Sequence, residues 1–504
     1  MRVYAQDPNL TAISNAWVKE NSFISAVPNT ALPPNFEDIK AKLPEVIWPD
    51  RPEVVKCYQR TWQLAFANLH QVSAANGFVS PFIDPVFNQH IFMWDTSFMT
   101  LFGRYGHSAF NFQGSLDNFY GKQHQDGYIC REISEIDGQE IFQKFDASST
   151  GPNLMPWSEW EYYQNFGDKE RLTKVFPVLL AYYEWFRTNR SWPDGSYYAT
   201  GWGCGMDNQP RVPKGFAPDF SHGYMSWIDT SLQQILAANI LIKMAAVLDR
   251  NADIEPVAIE LKSLTAYVQN KMWDSKMAYF YDRYRDGSLS SVKSVAAYWA
   301  LLAQAVPIEG EAAFVAHLEN PAEFARAHRV PTLSADDPGY EANGHYWRGG
   351  VWSPTTYMVL RGLTAYHRDS LAHEIGLNHL DNVVKVFNET GILWENYAPD
   401  AVKGMYRENM VGWTGLTPIS VLFEYVFGIR ANVPAQTLVW DVRLTDAHGI
   451  KQYPFGAKGL LDLYCAKRRH SSDKPHLRVK SNIDLKLKLV WDGGSEMIEV
   501  KGTR

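Results

Sequence analysis

Apolar residues recur at helical spacing from about residue 53 to residue 428. Segment 53–76 places Val54, Val55, Tyr58, Trp62, Ala65 and Leu69 on one face. Segment 169–189 does the same with Leu172, Val175, Phe176, Leu179, Tyr182 and Phe186, and segment 227–250 with Ile228, Leu232, Ile235, Leu241 and Met244. The same period predicts helices over 95–104, 108–121, 152–167, 253–274, 294–305, 309–328, 352–366, 369–389 and 413–428. After about residue 436 the period drops to two. Leu438-Val439-Trp440, Leu460–Tyr464, Leu477-Arg478-Val479, Leu485–Val490 and Met497–Val500 read as strands.

The connections alternate in length. Gly167-Asp168 and the stretch 250–253 are tight turns between helices, whereas 122–151, 190–226, 329–351 and 390–412 are long and rich in Gly, Pro, Asp and aromatic residues. Long loops in a compact domain are usually functional. Short turns at one end and long loops at the other suggest helical hairpins pointing the same way. The expected fold is therefore all-α: an (α/α)6 barrel over residues 51–430, with the four long loops at one mouth and a small C-terminal β module over 431–504. The Pro- and Asn-rich residues 1–50 are expected to wrap the surface. No fixed-period repeat supports a solenoid.

Composition narrows the function. Of 504 residues, 46% are hydrophobic and 20% charged, which excludes a disordered chain. No apolar run reads as a membrane span. The start, Met1-Arg2-Val3-Tyr4-Ala5-Gln6-Asp7, lacks the apolar core of a signal peptide, so the expected location is cytoplasmic, or periplasmic or secreted if a leader was removed. A net charge of −7 argues against nucleic-acid and anionic-membrane partners. The one basic run, Lys467-Arg468-Arg469-His470, reads as a solvated face. Cys57, Cys130, Cys204 and Cys465 form no CxxC pair, and no metal site or cofactor is expected. The 18 Trp and 26 Tyr change the picture most. Their apolar faces and polar tips suit sugar rings as well as a large aromatic core.

Five clusters carry candidate chemistry. Met93-Trp94-Asp95-Thr96-Ser97-Phe98 begins a helix, where Asp95 or Thr96 reads equally as an N-cap. Gln125-Asp126-Gly127-Tyr128-Ile129-Cys130-Arg131-Glu132 is a turn signal first and a site second. Gly201-Trp202-Gly203-Cys204-Gly205-Met206-Asp207 packs glycines and apolar side chains around one carboxylate. His345-Tyr346-Trp347-Arg348-Gly349-Gly350-Val351-Trp352 offers flat walls and a bidentate donor. Trp394-Glu395-Asn396-Tyr397 sets a carboxylate between aromatics. Two isolated carboxylates on separate aromatic loops suit glycoside hydrolysis, which needs an acid for the leaving oxygen and a base for water. No GxSxG, P-loop, HExxH or GxGxxG motif is present.

The ordered motifs Trp94-Asp95-Thr96-Ser97-Phe98, Gln125-Asp126-Gly127-Tyr128, Asp207-Asn208-Gln209-Pro210-Arg211, Trp273-Asp274 to Tyr279–Asp282, Tyr346–Trp352, Trp394–Tyr397 and Gly412-Trp413-Thr414 resemble glycoside hydrolase family 63, of the trehalase- and glucoamylase-like (α/α)6 clan. The resemblance covers roughly residues 50–430 and looks most like the compact bacterial and plant members, which include mannosylglycerate hydrolases. It implies an inverting exo-acting α-glycosidase for a small carbohydrate, with Asp207 as general acid and Glu395 as general base. It also implies sugar contacts from Trp94, Asp95, Gln125, Asp126, Trp157, Trp202, Trp347, Arg348, Trp352 and Tyr397. The approach Gly203-Cys204-Gly205-Met206 departs from the family's usual glu-ser-gly-trp before the acid. The competing readings are a polysaccharide lyase or sugar epimerase on the same barrel, for which His124, His222 and His345 are the available bases, and a non-catalytic sugar-binding protein.

Overall fold

A computed structural model describes residues 14–503. The signal-peptide reading and the first part of the wrapping segment fall on residues 1–13 and lie outside the described residues. Most of the predicted helices form, as Pro52–Ala67, Met93–Gly103, Met155–Phe166, Lys169–Asn189, Ile228–Leu248, Glu255–Lys271, Ser353–Ala365 and Asp369–Thr390, but the first stops well short of its expected end at 76 and 309–328 keeps only the short helix Glu311–Ala316. Other segments are broken more finely. Phe112–Leu116 and Asp117–Gly121 divide 108–121 between a 3-10 and an α turn, Val295–Tyr298 and Trp299–Leu302 do so for 294–305, and Thr417–Val426 is wound as a π-helix.

Local chemistry explains the ends. Asp168 caps the helix Lys169–Asn189 by accepting the Arg171 N–H at 2.9 Å, directly after Gly167 ends the preceding helix at φ +67°. That two-residue link makes the two helices antiparallel neighbours. The helix Ile228–Leu248 packs against Met155–Phe166, Lys169–Asn189, Glu255–Lys271 and Trp299–Leu302. Met93–Gly103 packs against Met155–Phe166 and the turn Thr414–Leu416, and Ser353–Ala365 against Trp299–Leu302, Asp369–Thr390 and Thr417–Val426. All eleven residues of Met93–Gly103 are buried. Ile228–Leu248 is long and apolar enough by length and composition to cross a membrane, which corrects the reading that no such run exists; 67% of its apolar window is buried within the protein.

Among the described residues the strands assemble into two four-stranded sheets and four two-stranded ladders. In one, Glu45–Ile47 pairs antiparallel with His448–Phe455, followed by Gly459–Cys465 and Leu477–Ser481. The N-terminal segment is thus built into the C-terminal sheet through Val46 and Ile450, which face each other in register. The other sheet runs Ile429–Asn432, Thr437–Asp441, Leu485–Trp491, Gly494–Val500, with the middle pair parallel. Upstream, Asn15 and Trp17 both donate to the Glu184 carboxylate, tying the chain to the helix Lys169–Asn189. The basic run is not a solvated face throughout. Arg468 is buried, and its guanidinium donates to the carbonyls of Val442, Leu444, Ser471 and Asp473.

Candidate active site

Three of the four long loops converge on one cavity of about 350 Å³, while 390–412, which carries Glu395, supplies none of its lining residues. Arg131, Glu132 and Phe142 reach it from 122–151, Trp202, Gly205 and Asp207 from 190–226, and Tyr346 and Trp347 from 329–351. Trp94 and Asp95 enter from the start of a helix, and Trp413 closes the wall.

The loop bearing Asp207 is rigid for identifiable reasons. Thr200 accepts the Gly203 N–H at 2.9 Å and starts a single helical turn, Gly201–Cys204. Gly205 ends that turn at φ +80°, and a Cβ there would lie 3.0 Å from the indole of Trp94. Gly205 thus allows close approach between backbone and aromatic wall. Past Asp207, each residue of Asn208-Gln209-Pro210-Arg211 except the proline is an anchor. Asn208 Oδ1 accepts the Trp347 N–H at 2.9 Å, and its Nδ2 donates to the His345 carbonyl at 3.1 Å. Gln209 donates to the Thr332 carbonyl at 2.8 Å and accepts from Ser294 at 2.7 Å. Arg211 is fully buried and bidentate to both Asp229 and Asp282 at 2.6–2.9 Å.

Glu395 arrives differently. The strand Trp394–Tyr397 pairs with Gly404–Glu408, and the register slips between Trp394 and Asn396, placing Glu395 at the bulge. Glu395 is 2% exposed. Its Oε2 accepts the Arg407 N–H at 3.3 Å, while Oε1 has no hydrogen-bond partner among the described residues.

Tyr346 lies close to both carboxyls, and the proximity of its hydroxyl draws down the pKa of Asp207 and of Glu395. The residue adopts φ +64°, a conformation side chains rarely take, held by Gly350 N–H and Trp352 Nε1, which both donate to its carbonyl at 3.2 Å. Burial nevertheless dominates. It raises Asp207 to about 6, assisted by the charge of Asp219 and opposed by Arg131. It raises Glu395 to about 7, assisted by Asp207. Asp95 is held well above the ordinary carboxylate range by burial, with Glu395 and Glu132 adding to the effect. It is not the helix cap: the cap position is Phe92, whose side chain makes no capping hydrogen bond.

Of the residues expected to meet sugar, Trp94, Asp95, Trp202 and Trp347 line the cavity with Asp207. The others are placed elsewhere. Trp352 is fully buried behind Trp347, stacked face to face with it. Trp157 lies in the aromatic core, edge-on to Phe98 and Trp299, and donates to Glu161. Asp126 is occupied by Lys144 at 2.9 Å and Trp185 Nε1 at 3.1 Å, and Gln125 is exposed, its carbonyl held by the Asn15 N–H. Arg348 donates to the Gly339 carbonyl at 3.0 Å, and the arginine of the cavity is Arg131. Tyr397 is buried, its hydroxyl accepting the Trp394 N–H. The sequence reading assigned no role to Tyr346, Arg131, Glu132 or Trp413, although all four lay inside the quoted clusters and motifs.

The mannosylglycerate hydrolase MGH1-like glycoside hydrolase domain matches residues 88–409. An uncharacterized protein of Borreliella burgdorferi is 25% identical over 69% of this chain and 74% of its own. The probable mannosyl-oligosaccharide glucosidase of Schizosaccharomyces pombe is 23% identical over 50% of this chain, which spans only 34% of that longer protein. In fold, the chain resembles the family 63 mannosylglycerate hydrolase of Thermus thermophilus, with a TM-score of 0.59 and 19% identity over 72% of this chain and 98% of that one. With the domain match covering well over half of its length, the chain belongs to the MGH1-like glycoside hydrolases of family 63.

Proposed function

We propose that the protein hydrolyses a terminal α-linked sugar with inversion, using Asp207 as general acid and Glu395 as general base. One observation supports this reading: Asp207 and Tyr346 line an aromatic-walled cavity, and the buried Glu395, from a separate loop, lies close enough to both to feel the Asp207 charge and the Tyr346 hydroxyl. Asp207 neighbours Trp202, which is 37% exposed, on the side where a leaving group can depart. Glu395 is deep, and its unpartnered Oε1 can accept a hydrogen bond from the attacking water. Inversion needs room for that water, so the carboxyls should stand about 6.5–9.5 Å apart.

Both groups are raised, so between pH 6 and 7 the pair shares about one proton. Glu395 has the higher value, so the working microstate, with that proton on Asp207, is the less populated of the two. Trp94 and Trp347 supply faces for the sugar, and Asp95, favoured in its protonated form, can donate one hydrogen bond to a hydroxyl and accept others. A cavity of this volume suits a terminal residue of α-mannose or α-glucose, the sugars named for the relatives. The packing of six inner segments, each against the next, supports a six-hairpin barrel as the frame. We read 51–430 as that barrel and 431–504 as its β module.

The lyase and epimerase readings lose their bases. His124 is paired with Glu140 at 2.7 Å, His222 packs against Trp192 and Tyr198, and His345 is exposed; none lines the cavity. The deciding experiment is proton NMR of fresh product from an aryl α-mannoside or α-glucoside. The β-anomer should appear first, and an initial α-anomer would overturn Glu395 as base.

A further inference from the structure

Beside the cavity wall, but not in it, two short ladders bring His70, Asp84 and Glu135 together. We propose that these three side chains form a site for a divalent transition-metal cation such as Zn²⁺. One ligand atom from each lies within 4.8 Å of the other two. His70 Nδ1 is 2.9 Å from Glu135 Oε2, and His70 Nε2 is 3.8 Å from Asp84 Oδ2.

The cluster has an unmet requirement that an ion pair does not fill. The Glu135 side chain is 7% exposed, yet its Oε1 has no hydrogen-bond partner. A buried carboxylate oxygen without a partner is costly. A protonated His70 can neutralise one of the two carboxylates, and its contact to Asp84 is beyond hydrogen-bond distance. A dication would neutralise both and take the free oxygen as a ligand. The donor set selects the metal. One imidazole nitrogen with two carboxylates suits Zn²⁺ and similar cations, whereas Ca²⁺ and Mg²⁺ prefer oxygen alone. His70 is 41% exposed, which gives a cation an entry path and leaves a coordination position for water.

Placement gives the site a structural consequence. His70 lies on the strand Leu69–His70 opposite Phe82, and Asp84 directly follows the partner strand Phe82–Ile83. Glu135 directly follows Glu132–Ser134, which pairs with His90–Phe92. The Glu135 N–H also donates to the Gln89 carbonyl at 2.9 Å. A bound cation would staple the two ladders. The second ladder carries Phe92 and Glu132 on the cavity wall and runs straight into the helix holding Trp94 and Asp95. The metal would therefore fix the wall while taking no part in the reaction.

The test is calorimetric titration of the chelator-stripped full chain with ZnCl₂, with CaCl₂ and MgCl₂ for comparison. One saturable equivalent of Zn²⁺ is expected, together with a rise in the thermal midpoint and little response to the other two. Substituting Co²⁺ should give visible absorption bands that Zn²⁺ displaces. His70→Gln, at the half-exposed ligand, should keep the fold and weaken binding at least about tenfold. Asp84→Asn with Glu135→Gln should abolish binding, with circular dichroism as the check on folding. Absence of saturable Zn²⁺ binding to the folded wild type would overturn the proposal. So would one-equivalent binding of unchanged affinity in His70→Gln. Neither outcome bears on Asp207 or Glu395.

Discussion

Asn208 Oδ1 accepts the backbone N–H of Trp347 at 2.9 Å. Its amide also holds the His345 carbonyl, so one side chain clamps both neighbours of Tyr346 from the position next to Asp207. The loop of the proposed acid and the loop of this tyrosine are therefore one mechanical unit. Asn208→Ala removes the clamp without touching the reacting groups. Two hydrogen bonds at about 1 kcal/mol each correspond to a loss of roughly 10- to 30-fold in kcat/KM. Steady-state kinetics beside a thermal melt checks this, and unchanged kcat/KM would show that the loops hold their positions independently.

The pH profile follows from the same pair. In the free enzyme, kcat/KM should be bell-shaped with limbs near the two raised values, about 6 and about 7. Tyr346 lowers both groups, so Tyr346→Phe should move both limbs to higher pH. A profile that falls in amplitude but keeps its limbs would place the hydroxyl away from the carboxyls.

Long-range clamps mark what the sequence could and could not reveal. The helices were legible because apolar stripes repeat with their period, as in 169–189, whose boundaries match the structure. They blurred in 108–121 and 294–305, where segments buried all round carry no stripe. The strand Glu45–Ile47 was missed because its partner lies some 400 residues away. Asp207 and Glu395 stood out as single carboxylates among aromatics. Trp352 did not differ in sequence from a cavity Trp, yet it is the backing for one: Trp347 and Trp352 lie 3.7 Å apart at 4°. Arg348 and Arg131 exchanged roles because a guanidinium's direction depends on which carbonyl lies within reach.

Arg211 should be among the most sensitive positions outside the cavity. It is 1% exposed and faces two carboxylates, Asp229 and Asp282, each bidentate. Arg211→Met would leave both buried carboxylates uncompensated, at a cost of about 3–5 kcal/mol. Arg211→Lys keeps the charge but cannot satisfy four oxygens in one plane, so it should recover only part of that. Urea denaturation measures both, and a loss below about 1 kcal/mol for Arg211→Met would show that the site relaxes or admits water.

Glu395→Gln should stabilise the protein while abolishing turnover, and the gain should depend on pH. Burial is the main cause raising Glu395 from its ordinary 4.5 to about 7. Between those values the folded chain holds a proton that the unfolded chain has released. With more protons bound in the native state, stability falls as pH rises from 4.5 through 7 and stays reduced above. The full difference corresponds to an upper limit of about 3 kcal/mol. Glutamine has no charge to bury, so the variant should gain up to that amount at pH 8 and almost nothing at pH 4.5. Loss of the base should lower kcat by about 10²- to 10⁴-fold over the same range. Denaturation of both proteins at the two pH values decides the matter. An equal difference at both, or a loss at pH 8, would mean that Glu395 is solvated and that the deep, desolvated base required by the mechanism is not there.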